Sequence, residues 1–185
     1  MIYVFLATGF EDIEAIAPVD IMRRAGLEVQ TVSITGEEIV TSAHGVGIAS
    51  DLLLSDVDFS SAEMLVLPGG LPGSTNLDAC KPLTEAIKRH FESGGPIAAI
   101  CAAPLVLGGL GLLRGKSATC YPGFEGTLEG ANYTGELFTV DGNITTGEGP
   151  AAAFPFAYCL LEQLTDAQTA HDVAEGMRFV HLMSN

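Results

Sequence analysis

Positive charge is scarce in this chain: eight Lys and Arg stand against 23 Asp and Glu, a formal net charge of −15. Such a surface repels phosphate backbones and anionic lipid, so neither nucleic acid nor a membrane surface is expected as a partner. Paired cysteines are lacking too. Cys80, Cys101, Cys120 and Cys159 form no CxxC pair and have no His at zinc-finger spacing, so no metal, other cofactor or disulfide framework is expected. The opening MIYVFLATGFEDIEA carries no basic leader, and its apolar run over 2–7 is shorter than a signal-peptide core. The expectation is a cytoplasmic protein with reduced thiols. The one long uncharged stretch, 96–113, is interrupted by Pro104, Gly108, Gly109 and Gly111, and reads as a buried strand and helix, not a membrane span.

What is present is a chain of 185 residues, the length of one domain (1–185), able to bury roughly 70% of its unfolded surface. Apolar runs at 2–7, 27–34, 63–68 and 96–100 have strand character, and 39–49 reads as a hairpin broken at Gly45. Helical spacing follows the first run, with Gly26 as its stop, and recurs over 77–91, 150–164 and 167–180, the last with a cap expected at Thr165. Short strands are expected in SATCY, LFTV and NITTG. Buried strands alternating with helices predict an α/β fold, a mainly parallel sheet with helices on both faces. Ligands bind beyond the carboxyl ends of such strands.

Cys101 lies at one of those ends, where GGPIAAICAAPLVLGG passes from strand to helix and Pro104 suits the first helical turn. At a tight strand-to-helix turn the side chain is lifted out of the sheet and helix amides point at it, a nucleophile-elbow geometry that lowers a thiol's pKa below the free value of about 8.5. The alternative is a small hydrophobe packed in the core. GFEDIEA places Glu14 at the same edge, on the apolar side of its helix with Ile13, Ala17 and Ile21. A carboxyl buried there stays protonated and hydrogen-bonds a thiolate, whereas ordinary helix-start acidity would need no site. LPGGLPG is the third element, its Gly69 and Gly70 allowing close backbone approach without the pattern of a phosphate or dinucleotide loop.

ATGFEDIEAIAPVDIMRRAG, LVLPGG and AAICAAP, in that order and spacing, resemble the ThiJ/DJ-one/PfpI superfamily. The resemblance runs through GEGP to the tail and implies a flavodoxin-like three-layer sandwich, of the class I glutamine amidotransferase type, usually a homodimer. It implies that Cys101 is the reactive cysteine, that Glu14 hydrogen-bonds it, and that the amides around Gly69, Gly70 and Ala102 form an anion pocket. Protease-like relatives carry His directly after the cysteine; Ala102 cannot act as a base, which disfavours a peptidase. Tyr121 stands where the closest branch often has His, and Ala103 where relatives have Gly. His44 falls where a relative places an anion-binding Arg, while His90, His171 and His181 read as solvated surface. Cys120, beside Tyr121, is either core packing or a resolving thiol. Arg24, with Arg23, is either a solvated helix end or, by the resemblance, near a dimer interface and the pocket.

Two readings of function follow. In one, Cys101 thiolate adds to a small reactive carbonyl such as methylglyoxal and Glu14 shuttles a proton, as in relatives described as type III glyoxalases and deglycases. In the other, Cys101 oxidation makes the protein a redox sensor or chaperone without turnover. The ThiJ label also suggests thiamine biosynthesis, for which no phosphate loop is visible.

Overall fold

The computed structural model describes residues 1–184. IYVFL, apolar throughout, forms β1 (Ile2–Leu6), buried at every position, as a strand covered on both faces must be. Around it lies a seven-stranded sheet. In chain order its members are β1, β2 (Val29–Ser33), β5 (Leu52–Leu53), β6 (Met64–Leu67), β7 (Ile97–Ile100), β10 (Phe138–Asp141) and β11 (Ile144–Gly147); in space the order is β10-β11-β7-β6-β1-β2-β5. All neighbours are parallel except β10 and β11. Two small pairs lie outside it, the antiparallel β3 (Ile39–Thr41) with β4 (Gly47–Ala49), which is the expected hairpin, and β8 (Ser117–Ala118) with β9 (Asn132–Tyr133).

Alternation along β1 divides the core. Ile2, Val4 and Leu6 face one apolar cluster with α1 (Asp12–Arg24) and α5 (Ala153–Leu164), whose Ala15, Val19, Met22, Phe156 and Leu160 complete it. Tyr3, Phe5 and Ala7 face the other, with α2 (Gly73–Ala79), α3 (Lys81–Glu92) and α4 (Pro104–Gly109) supplying Leu77, Leu83, Ile87, Val106 and Leu107. Each such side chain, fully buried, contributes about 1.5–3 kcal/mol. This is the three-layer α/β arrangement expected. Helix α1 stops at Gly26 as its sequence implies, through a Schellman pair: Gly26 N donates to Arg23 O and Leu27 N to Met22 O.

The structure corrects several details. The helix expected over 77–91 is two, broken at Cys80, because Pro82 starts α3 and cannot continue an earlier helix's hydrogen bonds. The helix expected over 150–164 opens as a 3-10 turn, Pro150–Ala152. The one over 167–180 ends early as α6 (Ala167–Gly176); left-handed Arg178 separates it from α7 (Phe179–Met183). Its cap is Asp166, not Thr165: the Asp166 carboxylate accepts from Thr169 N at 2.9 Å, while Thr165 Oγ1 turns back to Leu161 O. His90 is buried, not solvated. Its ring lies where a side chain at residue 95 would be, Gly95 leaving the room, with Nε2 3.1 Å from Pro96 O, and burial lowers its pKa. Among the described residues no helix is long and apolar enough to cross a membrane, and 96–113 forms β7 and α4. Asp166→Ala should cost about 1 kcal/mol of stability in urea unfolding, and Thr165→Ser, which keeps the hydroxyl, should leave the midpoint nearly unmoved.

Candidate active site

Strands β1, β6, β7 and β11 end at one edge, and the residues singled out above leave from those ends. Cys101 follows β7 with φ of 64°, a left-handed conformation that costs an L-residue roughly 1–2 kcal/mol. Two backbone hydrogen bonds hold it there: Cys101 N donates to Gly147 O of β11, and Tyr121 N donates to Cys101 O, both at 2.9 Å. The elbow is thus pinned from both sides. Its side chain is 8% exposed, and the amides of Gly70 and Ala102 face the thiol.

Glu14 is placed by its own helix start. Glu11 caps α1, its carboxylate accepting from Glu14 N at 2.8 Å, which sets Glu14 in the first turn facing the sheet, 0% exposed. Its Oε2 accepts from Gly69 N at 2.9 Å, and Oε1 is buried without a hydrogen-bond partner. Close approach explains the glycines. A Cβ on Gly69 would stand 2.5 Å from both Cys101 Cβ and Glu14 Oε2, and Gly70, at φ of 86°, has Glu11 N 2.5 Å from where a Cβ would be.

Burial raises the Glu14 carboxyl to about 7, helped by the Glu11 charge and opposed by the Cys101 thiol and the Gly69 amide. For Cys101 the expectation of a depressed pKa is not met. Burial first, then the Glu14 carboxylate, push the thiol up to about 12, against the weaker pull of the Gly70 and Ala102 amides. The physical reason is depth: a nearly closed site denies sulfur the water that a thiolate needs, and α4, six residues long, brings a short dipole. The two groups titrate as one pair, which loses its first proton near neutral pH.

The remaining sequence candidates divide. Tyr121 is brought to the cysteine through its backbone, and its ring stands 46% exposed. Cys120 is fully buried and packs in the apolar cluster with α2, α3 and α4, whereas Cys101 belongs to the other cluster. His44 Nδ1 lies 2.7 Å from Asp12 Oδ2, exposed, and that contact raises its pKa. Arg24 is not brought in. It sits at the far end of α1, about 15 Å along the helix from Glu14, with Nε on Asp20 Oδ2 at 2.8 Å. Ile13, expected on the buried side, is 47% exposed. Among the described residues Glu11, Asp12 and His44 bring metal-type ligand atoms within 4.8 Å of one another, but Glu11 is engaged as the helix cap and His44 by Asp12.

Sequence reasoning missed Glu11 and Gly147. Glu11 is not one of the usual capping residues, so only its place just before the helix hinted at its role. Gly147 carried no signal, since its contact with Cys101 exists only once β11 pairs with β7.

A buried cysteine on a strand-to-helix elbow, beside a buried glutamate from the first helix of a parallel sheet, defines a cysteine-elbow α/β protein. The chain belongs to the DJ-1/PfpI family, which residues 1–163 match. Protein DJ-1 homolog B of Arabidopsis thaliana is 40% identical over 171 residues; these are 91% of this chain and 39% of that protein, so the chain spans about two fifths of its length. The glutathione-independent glyoxalase DJR-1.2 of Caenorhabditis elegans is 34% identical, with 90% of this chain and 89% of that one covered. The crystal structure of Drosophila melanogaster DJ-1beta superposes with a TM-score of 0.91 at 36% identity, covering 95% of this chain and 96% of that one.

The pair's titration has a measurable sign. A carboxyl whose folded pKa is raised from 4.5 to about 7 binds its proton more tightly folded than unfolded. Its favourable contribution is therefore full below pH 4.5 and is lost as pH rises through 7. The stability of the wild type relative to Glu14→Gln should fall by about 3 kcal/mol across that window, read from urea unfolding at pH 4 and pH 8; a flat difference would mean that Glu14 is ionised without penalty.

Proposed function

We propose that this protein is a cofactor-independent enzyme acting on small reactive carbonyls, of glyoxalase III or deglycase type, with Cys101 as nucleophile and Glu14 as proton shuttle. The observation that carries the reading is the buried, unpartnered Oε1 of Glu14 in a carboxylate that sits against the Cys101 thiol. A carboxylate with a pKa near 7 and a vacant acceptor is a general base suited to neutral pH. It takes the S–H proton as sulfur adds to the aldehyde carbon of methylglyoxal, so the thiolate need exist only during attack. The Gly70 and Ala102 amides stabilise the charge on sulfur. Glu14 gives that proton to the hemithioacetal oxygen and, free again as a base, carries the proton from that carbon to its neighbour, by way of an enediol. The resulting thioester is cleaved by water to lactate and free thiol. One carbon is oxidised and the next reduced, so electrons balance without metal, nicotinamide or glutathione. The glyoxalase name of the C. elegans relative supports the reaction class.

We place the protein in the cytoplasm, where its free cysteines would stay reduced, as a homodimer and as a single domain over 1–185. Exposed Ile13, Ile16 and Val46, around a cavity of about 560 Å³ on α1 and the β3–β4 hairpin, support a second copy as the occupant of that face.

Lactate formation from methylglyoxal should fall at least about 1,000-fold in Cys101→Ser, and wild-type kcat/KM should rise with pH through about 7 as Glu14 loses its proton. Full turnover in Cys101→Ser would remove Cys101 as the nucleophile, the premise of both readings. A cysteine that reacts once with peroxide, with no carbonyl turnover, replaces the enzyme reading with the redox-sensor reading. Ile13→Asp should convert the dimer to monomer in sedimentation, with the fold kept; an unchanged sedimentation coefficient would place the interface elsewhere.

A further inference from the structure

The loops that surround Cys101 have a one-sided charge. Residues 7–11, 68–72, 101–103, 119–125 and 148–152 contain no Lys or Arg, while Glu11, Glu125 and Glu148 lie within them. The cations are elsewhere, and most are held by local carboxylates: Arg23 by Asp51, Arg24 by Asp20, Arg89 by Glu85, Arg114 by Glu129 and Lys116 by Asp141. Glu148 is in no salt bridge among the described residues.

Beside the elbow is a cavity of about 220 Å³ whose walls include Tyr121, Glu148, Gly149 and Pro150. It adjoins the cysteine through the Tyr121 N–H on Cys101 O. The Tyr121 ring is half exposed and seated on Gly149, where a Cβ would come within 3.0 Å of Cδ2. The ring thus rests on the main chain and leaves aromatic surface toward solvent. Burial, Cys120, Glu125 and Glu148 push the Tyr133 phenol upward, so two carboxylates lie in the neighbourhood of that ring.

A helix start also borders the cavity, and its amides would ordinarily favour an anion. Here they are mostly spent. Pro150 has no N–H, Ala152 N donates to Gly149 O, and Glu148 N donates to Leu137 O. The Glu148 carboxylate and the exposed Tyr121 ring wall the same cavity, and a carboxylate with an aromatic ring is the pairing that holds ammonium and guanidinium groups.

We propose that the cavity walled by Tyr121 and Glu148 is a subsite for a guanidinium or ammonium group. Resting on the carbonyl reading above, it implies that compounds carrying a positive charge are drawn to Cys101 and that anionic carbonyls are turned away.

Binding tests this without turnover. Wild-type protein is titrated by two-dimensional NMR with N-acetylarginine methylamide and with its uncharged citrulline counterpart. The arginine compound should shift the amides of Tyr121, Gly149 and Ala151 and bind at least about tenfold tighter than citrulline. High salt should narrow that gap, and Glu148→Gln should remove it. Tyr121→Leu, which keeps an apolar wall, should weaken the arginine compound alone. Equal binding of the two compounds, a preference surviving in Glu148→Gln, or inorganic phosphate shifting the same amides would overturn the subsite. Because the readout is binding, an enzyme without methylglyoxal turnover would fail the function reading and leave this one standing, and the reverse holds as well.

Discussion

A buried carboxyl and a buried thiol in contact can hold one negative charge between them, and the rest of the site is arranged around that constraint. Glu14 and Cys101 are both withdrawn from water, so neither has bulk solvent to stabilise a charge. What remains is a small set of backbone amides. Gly69 donates to the carboxylate, while Gly70 and Ala102 face the sulfur. These amides are fixed by strand ends and cost no reorganisation when charge moves from oxygen to sulfur. The sheet's contribution is to bring β1, β6, β7 and β11 to one edge, so that groups from residues 14, 69–70, 101 and 147 meet there.

Much of this was legible in the sequence, for reasons that can be named. Four runs of strand character announced buried parallel strands, and Pro104 after IAAIC fixed where a helix began, hence where the cysteine stood. Glu14 was legible as buried because it falls on the same helix face as Ala17 and Ile21. The same periodicity misjudged Ile13, one residue earlier, because a helix presents neighbouring positions 100° apart. Thr165 and Asp166 are both good caps, and the choice between them rests on which carboxyl or hydroxyl reaches Thr169 N. His90 could not be read as buried, since the space that accepts it is the missing side chain of Gly95. Cys120 and Cys101 were close in prospect, yet they pack in different apolar clusters.

The site's electrostatics were the least legible part. Sequence position put Cys101 at a helix start, which argues for a low pKa. Whether that dipole or desolvation wins depends on how tightly Gly69, Glu14 and Ile100 close around the sulfur, a matter of ångströms that no motif encodes. The balance goes to desolvation, which makes Glu14 the first of the two to give up its proton. The acidic composition, which first served only to exclude partners, takes on local meaning as well, since the absence of Lys and Arg extends to every loop at the reactive edge.

The loop frame around Cys101 is joined largely through main-chain atoms. Gly147 O, Tyr121 N, the Gly70 and Ala102 amides and the Glu11 N–H on Gly69 O hold it without asking for any particular side chain beyond Glu11, Glu14 and the two glycines. Side chains at 44, 121 and 148 are consequently free to change while the frame persists. Such a scaffold separates heritable chemistry from heritable taste: the reactive pair is locked by geometry that tolerates almost no substitution, and the surrounding rim is open to drift, so that descendants of one fold could diverge in what they accept long before they diverge in what they do.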